Sequence, residues 1–211
     1  MNKVQNDNVP IETNGPIPIM SCRMIQPNLN IIYPYVCVCP PPGAAINARI
    51  QQVLYQTLKE QGYYENPMTV TQGFFEVKTN QRQVVSLCLN NYAFAGGAHG
   101  MTIIPSMTFD AKTGKDYTLA EEFKPGADYI TPLSEMVKAQ IAARHIETFE
   151  PFTKIRPDQP YYLADNCMVL YFPPYEITPY YMGFQYFPIN LYLVEDILNP
   201  DAPAYRQLPS F

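Results

Sequence analysis

The chain has 211 residues, enough for one domain or two small ones to bury roughly 70% of the surface exposed on unfolding, so its stability requires neither a disulfide nor a metal. Charged residues make up only 16% of it, against about 25% in an ordinary globular chain, and prolines number 22, so Tyr, Asn, Gln and Thr must supply much of the wet surface. A net charge of −5 without a cluster of Lys and Arg argues against nucleic acid or an anionic membrane as partner, because those surfaces are held by basic groups.

The amino terminus, MNKVQNDNVPIETNGP, has no apolar core behind Lys3, so neither a signal peptide nor a membrane anchor is expected in the sequence as given. Residues 1–17 read as a loosely held arm. The uncharged stretch from Met24 to Ala48 is long enough to span a bilayer, but Pro27, Pro34 and the triple proline Pro40-Pro41-Pro42 interrupt it. Two strand-like segments, Ile19 to Ile25 and Asn30 to Cys39, occupy this region, and Pro34 marks the second as an edge or a bulge.

A helix is predicted from Ala44 to Glu60, since Ile46, Ile50, Val53, Leu54 and Leu58 share one face and Gly62 ends it. Phe74 to Thr79 alternates as a half-exposed strand, with Glu76 and Lys78 opposite Phe75 and Val77. A turn at Asn80-Gln81 leads to a second strand, Val84 to Leu89. From there to Asp110 the only titratable groups are Cys88, Tyr92 and His99, and a stretch so poor in charge belongs inside a fold. Ala95-Gly96-Gly97-Ala98-His99-Gly100 is a glycine corner, and Ile103 to Phe109 returns as a strand. Asp110 to Lys115, with Gly114 late in it, is a hairpin turn.

Thr118-Leu119-Ala120-Glu121 has capping-box spacing, and a longer helix starts at Thr131-Pro132 with Leu133, Met136, Val137 and Ile141 on one stripe. His145, near its end, reads as a capping or surface residue. Tyr161 to Ala164 and Met168 to Phe172 flank Asp165-Asn166 as a hairpin, and Pro173 to Phe184 is an aromatic loop. Phe187 to Leu193 reads as a last strand or helical turn, and the tail beyond Asn199 as irregular. The pattern implies an α+β fold of mostly antiparallel sheets with two main helices, in two intimately packed subdomains.

Catalytic signatures are absent: there is no G-x-S-x-G, H-E-x-x-H, Walker-type or dinucleotide-binding glycine motif. The five cysteines lack C-x-x-C spacing and read as free buried thiols; neither metal nor cofactor is implied. Glu121 and Glu122 read as a cap residue and a solvated one, because neighbours on a helix point apart. His99, between glycines, could lock the turn, bind a ligand or act as a general base. Tyr175, Tyr180, Tyr181, Phe184, Tyr186 and Phe187, in and just after the proline-stiffened loop, either fold back onto the sheet or present a contact surface for a protein or glycan, and Tyr92 lies near the glycine corner. We take His99, Tyr92, Tyr175, Tyr180 and Tyr181 as candidate ligand-binding residues, and Gly96, Gly97, Gly100, Asp110 and Gly114 as those that shape the turns.

Four segments, NNYAFAGGAHG, TFDAKTGKDYTLAEEF, the helix from Thr131, and YYLADNCMVLYFPPYEITPYYMGF, together resemble a domain of unknown function. That domain is found in the extracytoplasmic part of RsiV-type anti-sigma factors and beside the catalytic domain of PdaC-type polysaccharide deacetylases. The amino half, with YPYVCV and the helix through Ile46 and Ile50, resembles the companion domain that usually precedes it. The family's GGAH turn falls on Gly96 to His99, its F-D-x-x-T-G-K hairpin on Phe109 to Lys115, and its proline-tyrosine loop on Pro174, Tyr175, Pro179 and Tyr180. The resemblance implies a companion subdomain over 18–80, an RsiV-like domain over 81–198 and a tail over 199–211. It implies binding rather than catalysis, with a lysozyme-like protein or a cell-envelope glycan as ligand, in an extracytoplasmic setting. Neither an anti-sigma segment nor a deacetylase domain is present to carry those activities over, and without a leader a cytoplasmic setting stays open. A small hydrolase or lyase using His99, or a structural envelope or spore protein, are the rival readings. Oligomeric state is not legible.

Overall fold

The computed structural model describes residues 15–208; residues 1–14 of the expected arm, and 209–211, lie outside the described part. Strands β1 (Ile19–Gln26) and β2 (Leu29–Val36) form a hairpin, followed by helix α1 (Pro42–Glu60). Strands β3 (Val70–Gln81), β4 (Val84–Phe94), β5 (Met101–Ile103) and β6 (Ser106–Asp110) complete a six-stranded sheet ordered β1-β2-β3-β4-β5, with β6 on the other half of β4. The β2–β3 pairing is parallel and the others antiparallel. A 3₁₀ turn (Leu119–Glu122) and helix α2 (Ile130–Ala143) lead to a three-stranded antiparallel sheet of β7 (Tyr161–Ala164), β8 (Cys167–Phe172) and β9 (Gln185–Asn190). A second 3₁₀ stretch (Leu191–Ile197) and a short helix α3 (Pro203–Arg206) end it. The architecture is the expected α+β, mostly antiparallel.

Helix α1 lies on one face of the large sheet, and Ile46, Ile50, Leu54 and Leu58 are all but sealed against Leu29, Ile31, Val36, Leu87 and Phe109. Asn47, on the same buried face, accepts the Val36 N–H at 2.9 Å and donates to the carbonyls of Val36 and Gly43. One amide thus ties the first turn of α1 to the end of β2. The parallel pairing to β3 stops at Ile31, so no third strand demands the N–H that Pro34 lacks.

Strand β4 is buried on both faces for most of its length. Val85, Leu87 and Leu89 face α1, whereas Val84 enters a second core built from Leu133, Val137, Leu163, Leu170, Phe172, Phe187 and Leu191. On that outer face Ser86 Oγ accepts the Leu163 N–H at 3.0 Å, joining β4 to β7. A bulge between Val77 and Thr79 swings Thr79 onto the same face, where its hydroxyl takes the Asp165 N–H at 3.2 Å. The division expected between 80 and 81 falls inside the β3–β4 hairpin, whose strands are paired along their length; the two cores meet through β4 itself.

Several local expectations change. The β3–β4 turn is Arg82-Gln83, both with positive φ of 51° and 60°, rather than Asn80-Gln81. Asn80 instead exchanges two bonds with the backbone of Ile17, so the end of the arm is clamped and Ile17 is buried. The expected strand from Ile103 to Phe109 is broken into β5 and β6 at Ile104-Pro105, where proline has no N–H for the ladder and its carbonyl takes the Leu89 N–H. The tail expected to be irregular forms α3, with Ala202 and Ala204 fully buried. Arg82 holds it through the carbonyls of Arg206 and Leu208, and Arg206 pairs with Asp110 at 3.2 Å. All five cysteines are free, but only Cys88 is buried and Cys39 is exposed.

Glu122 is the largest departure, since it is fully buried rather than solvated. Glu121 behaves as a cap, its carboxylate accepting the Thr118 N–H, but the next residue on the tight 3₁₀ turn points into the second core. There Glu122 Oε1 lies 2.7 Å from Tyr161 Oη, and Oε2 accepts the Ala204 N–H at 2.8 Å. Tyr161 Oη is also 2.9 Å from the Tyr117 carbonyl. One phenolic hydrogen cannot serve both acceptors. The geometry is satisfied when Glu122 carries a proton and donates it to Tyr161, which donates onward to Tyr117. Burial pushes the carboxyl up to about 7, outweighing the Ala204 N–H, Tyr161 and the Arg206 charge.

Two measurements follow. Asn47→Ala strands the Val36 N–H and is expected to lower unfolding free energy by about 1–3 kcal/mol, read by denaturant titration; an unchanged midpoint would show that the amide does not hold α1 to β2. For Glu122 the folded carboxyl binds its proton more tightly than the unfolded one at 4.5. Its stabilising contribution is therefore complete below that pH and is lost as pH rises through about 7. Glu122→Gln keeps the neutral hydrogen-bond pattern and should gain on the wild type by on the order of 3 kcal/mol between about pH 4 and pH 8; parallel stability curves would refute the buried proton.

Candidate recognition surface

Where β4 runs out at Phe94, the chain reverses through Gly96 and Gly97, at φ of 91° and 108°. Only glycine takes this backbone without strain. Gly100 is glycine for a different reason. A Cβ there would lie 2.4 Å from the Tyr92 ring and 2.5 Å from the Ala93 carbonyl, so the corner folds flat against Tyr92. Gly114 likewise takes a φ of 79° and abuts Pro42 at the start of α1, while Asp110 Oδ1 closes the hairpin on the Lys112 N–H.

The Gly100 carbonyl gathers the corner. His99 Nδ1 lies 2.9 Å from it and must carry the hydrogen, because a carbonyl only accepts. The Tyr180 hydroxyl donates to the same oxygen at 3.0 Å. The His99 and Tyr180 rings stack, with centroids 4.0 Å apart and planes inclined at 22°. Tyr175 also stacks on Tyr180, with centroids 5.7 Å apart. The loop that carries these phenols is fixed by its own bonds: Tyr175 N–H to Thr178 O, Glu176 N–H to Pro173 O, and the Glu176 carboxylate to Arg156 and Gln159.

The structure therefore brings Tyr92, His99, Tyr180 and Tyr175 into one run across Gly100. His99 is exposed, Tyr92 and Tyr175 are 42% and 51% exposed, and Tyr181, on the 3₁₀ turn beside Tyr180, reaches 80%. Of the expected residues, Tyr92 and Tyr181 stand apart from the ring stack. Tyr175 and Tyr181 are exposed, whereas Tyr180 is half-buried and folds back onto the Gly100 carbonyl.

A second aromatic group joins Phe184 and Tyr186, expected with the aromatic loop, to Tyr162 and Tyr171, which were not singled out from the sequence. The four rings lie with centroids 5.9–6.4 Å apart on the side of the small sheet near Cys88. Lys78 Nζ stands 5.0 Å over the Tyr162 ring. The signal was present: in Tyr161-Tyr162-Leu163 and Leu170-Tyr171-Phe172 the period of two sends Tyr162 and Tyr171 opposite to Leu163 and Leu170. Burial pushes the Tyr162 phenol and the Cys88 thiol each up to about 12, so both stay neutral.

A cleft of about 480 Å³ opens between the sheets, lined by Ile103, Asp116, Tyr117, Gln159, Tyr161 and Tyr171 among others. Its polar groups are engaged with the protein. Arg49 pairs with Asp116 at 2.9 Å, the Tyr171 hydroxyl bonds the Ile104 carbonyl and Ser106, and Gln159 donates to the Tyr171 carbonyl at 2.8 Å. Burial raises the Asp116 carboxyl against the pull of Arg49. His99 does not line this cleft. No group of three or more His, Cys, Asp or Glu side chains that could hold a metal gathers among the described residues.

Comparison with known proteins finds two separate matches along the chain. A family model described as deacetylase PdaC matches residues 28–102, and one described as protein of unknown function DUF3298 matches residues 123–192. Peptidoglycan-N-acetylmuramic acid deacetylase PdaC of Bacillus subtilis (strain 168) is 27% identical over 125 residues, covering 56% of this chain and 27% of that protein. Anti-sigma-V factor RsiV of the same strain is 32% identical over 104 residues, covering 44% of this chain and 36% of that protein. The chain thus spans well under half of either relative. Two crystal structures share the fold: a DUF3298 family protein of Pseudomonas aeruginosa PAO1, with a TM-score of 0.71 at 17% identity over 94% of this chain and 99% of that one; and a DUF3298 member from Bacteroides fragilis, with a TM-score of 0.63 at 15% identity over 88% and 95%. Over residues 28–102 and 123–192 the chain is thus similar to the domains found in RsiV-type anti-sigma factors and PdaC-type deacetylases.

Proposed function

We propose that this chain is a non-enzymatic recognition module of the cell envelope, and that it binds a protein through Tyr92, His99, Tyr175, Tyr180 and Tyr181. One observation carries the reading: the His99–Tyr180 stack, pinned from both sides to the Gly100 carbonyl and flanked by outward phenols. Rings held this way lose little entropy on binding and offer large amphipathic contact area. Lysozyme, the ligand implied by the RsiV-type resemblance, is the first candidate partner. The two modules divide, on this reading, where the chain leaves β6 for the second core, between Asp110 and Leu119.

The rival use of His99 as a general base finds less support. One ring nitrogen is committed to Gly100, one ring face to Tyr180, and no carboxylate or hydroxyl nucleophile bonds the imidazole among the described residues.

Pull-down with lysozyme, followed by titration, tests the proposal. Tyr181→Ala touches no packed ring and should leave folding intact while weakening binding at least about tenfold, as a central aromatic anchor would. Absence of binding by the unmodified chain removes lysozyme, and full affinity in both Tyr181→Ala and Tyr180→Ala removes the surface. Gly100→Ala should expel Tyr92 or lift Tyr180 off the carbonyl and lower stability by about 1–3 kcal/mol; an unchanged melting temperature would show that the corner is not close-packed.

A further inference from the structure

The buried carboxyl of Glu122 is met by three parts of the chain at once. β7 supplies Tyr161, whose hydroxyl lies between Glu122 Oε1 at 2.7 Å and the Tyr117 carbonyl at 2.9 Å. α3 supplies the Ala204 N–H, 2.8 Å from Oε2, and, two residues on, the guanidinium of Arg206. The segment that crosses from β6 to the 3₁₀ turn brings Lys115 and Tyr117 within its field, and Asp116 within that of Tyr161. On its own turn Glu121 caps Thr118.

Arg206 is engaged on one side only. Its Nη1 donates to Asp110 Oδ1 at 3.2 Å, while Nε and Nη2 are buried without a partner among the described residues. These two N–H groups share the edge of the guanidinium that grips a carboxylate with parallel bonds. Arg206 is near enough for its charge to act on Glu122, although no hydrogen bond joins them. Buried donors left unanswered cost free energy, and Glu122, once ionised, is placed to answer them.

Loss of the Glu122 proton to solvent also changes what holds Tyr161. A carboxylate accepts more strongly than a peptide carbonyl, so the phenolic hydrogen turns from Tyr117 to Glu122. The Tyr117 carbonyl then loses its donor from β7, and the crossing segment keeps its bonds to β6 through Thr108. Tyr117, Thr118 and Leu119 line the cleft of about 480 Å³, as does Tyr161.

We propose that the proton on Glu122 is a latch on this cleft. Held, it ties the segment from Asp110 to Leu119 to β7 through Tyr161; lost, it moves the Tyr161 bond onto Glu122, draws the Arg206 fork to the carboxylate and frees the Tyr117 wall. Burial pushes the carboxyl up to about 7, so the latch turns in the neutral range. The device needs no part of the aromatic surface and stands or falls apart from protein recognition.

Proton–nitrogen correlation spectra of the full chain between about pH 5 and pH 9 test it. The Thr118 N–H, which shares its peptide with the Tyr117 carbonyl, the Ala204 N–H and the Arg206 Nε–H should shift together with a midpoint at about 7. Glu121 does not supply this transition: against its burial, bonds from Lys115 and Thr118 hold its carboxyl below the usual range. Glu122→Gln keeps the neutral bonds and should hold all three signals still. Arg206→Met should raise the midpoint of the remaining two by about 1, which a residue that merely packs would not do. No common midpoint in the unmodified chain, the same transition in Glu122→Gln, or an unmoved midpoint in folded Arg206→Met would each overturn the proposal. Circular dichroism checks folding; should Arg206→Met not fold, the comparison of the unmodified chain with Glu122→Gln decides alone.

Discussion

Burial of β4 on both faces is the constraint from which the rest follows. A strand wet on one side may alternate; this one cannot, because α1 lies on one face and the small sheet on the other. A charge at any position from Val84 to Leu89 would have to be desolvated, at a penalty of several kcal/mol. That is why the whole segment is uncharged, and why its one hydroxyl is answered: Ser86 Oγ bonds both Thr108 and the Leu163 amide. Further along β4, Asn91 is buried with neither end of its amide bonded among the described residues. Two-sided burial also fixes register, since a slip by one residue would exchange Val84 with Val85 and send each into the wrong core.

The surface inherits its order from that strand. Cover by the small sheet ends near Asn90, so the outer residues of β4 pass from Val84 and Ser86, fully buried, to Tyr92, which is open. The glycine corner begins a few residues later and is caught by Tyr180 from the aromatic loop. Gly100 therefore receives Tyr92 from its own strand and Tyr180 from a loop eighty residues away. A corner held from both cannot loosen unless strand and loop part, and the rings that stack on it are preorganised for contact by the same packing that stabilises the fold.

Much of this was legible in the residues. The charge-free run, the apolar stripe of α1 and the turn glycines each state a local physical need, and the strings around GGAH and the proline-tyrosine loop carry the family. What failed did so where tertiary context overrides local pattern. Nothing near Glu122 in sequence reveals that Tyr161 and Ala204 will enclose it, because both partners come from distant elements. α3 has too few residues to show a period and is held by distant partners, the Ala204 N–H on Glu122 and Arg82 on the carbonyls of Arg206 and Leu208. Arg82-Gln83 turns with positive φ although neither residue favours it, since the paired strands on each side leave room for only two residues. Tyr162 and Tyr171 were hidden differently: the alternation that placed them was readable, but it does not say that Tyr171 is buried with its hydroxyl on the Ile104 carbonyl and Ser106 while Tyr162 stays half-buried under Lys78.

In the stack, His99 Nδ1 and the Tyr180 hydroxyl are both committed to the Gly100 carbonyl, while His99 Nε2, on an exposed side chain, takes no bond among the described residues. A partner therefore gains by covering the rings and by answering one ring nitrogen, a combination of contact area and direction that a protein surface supplies.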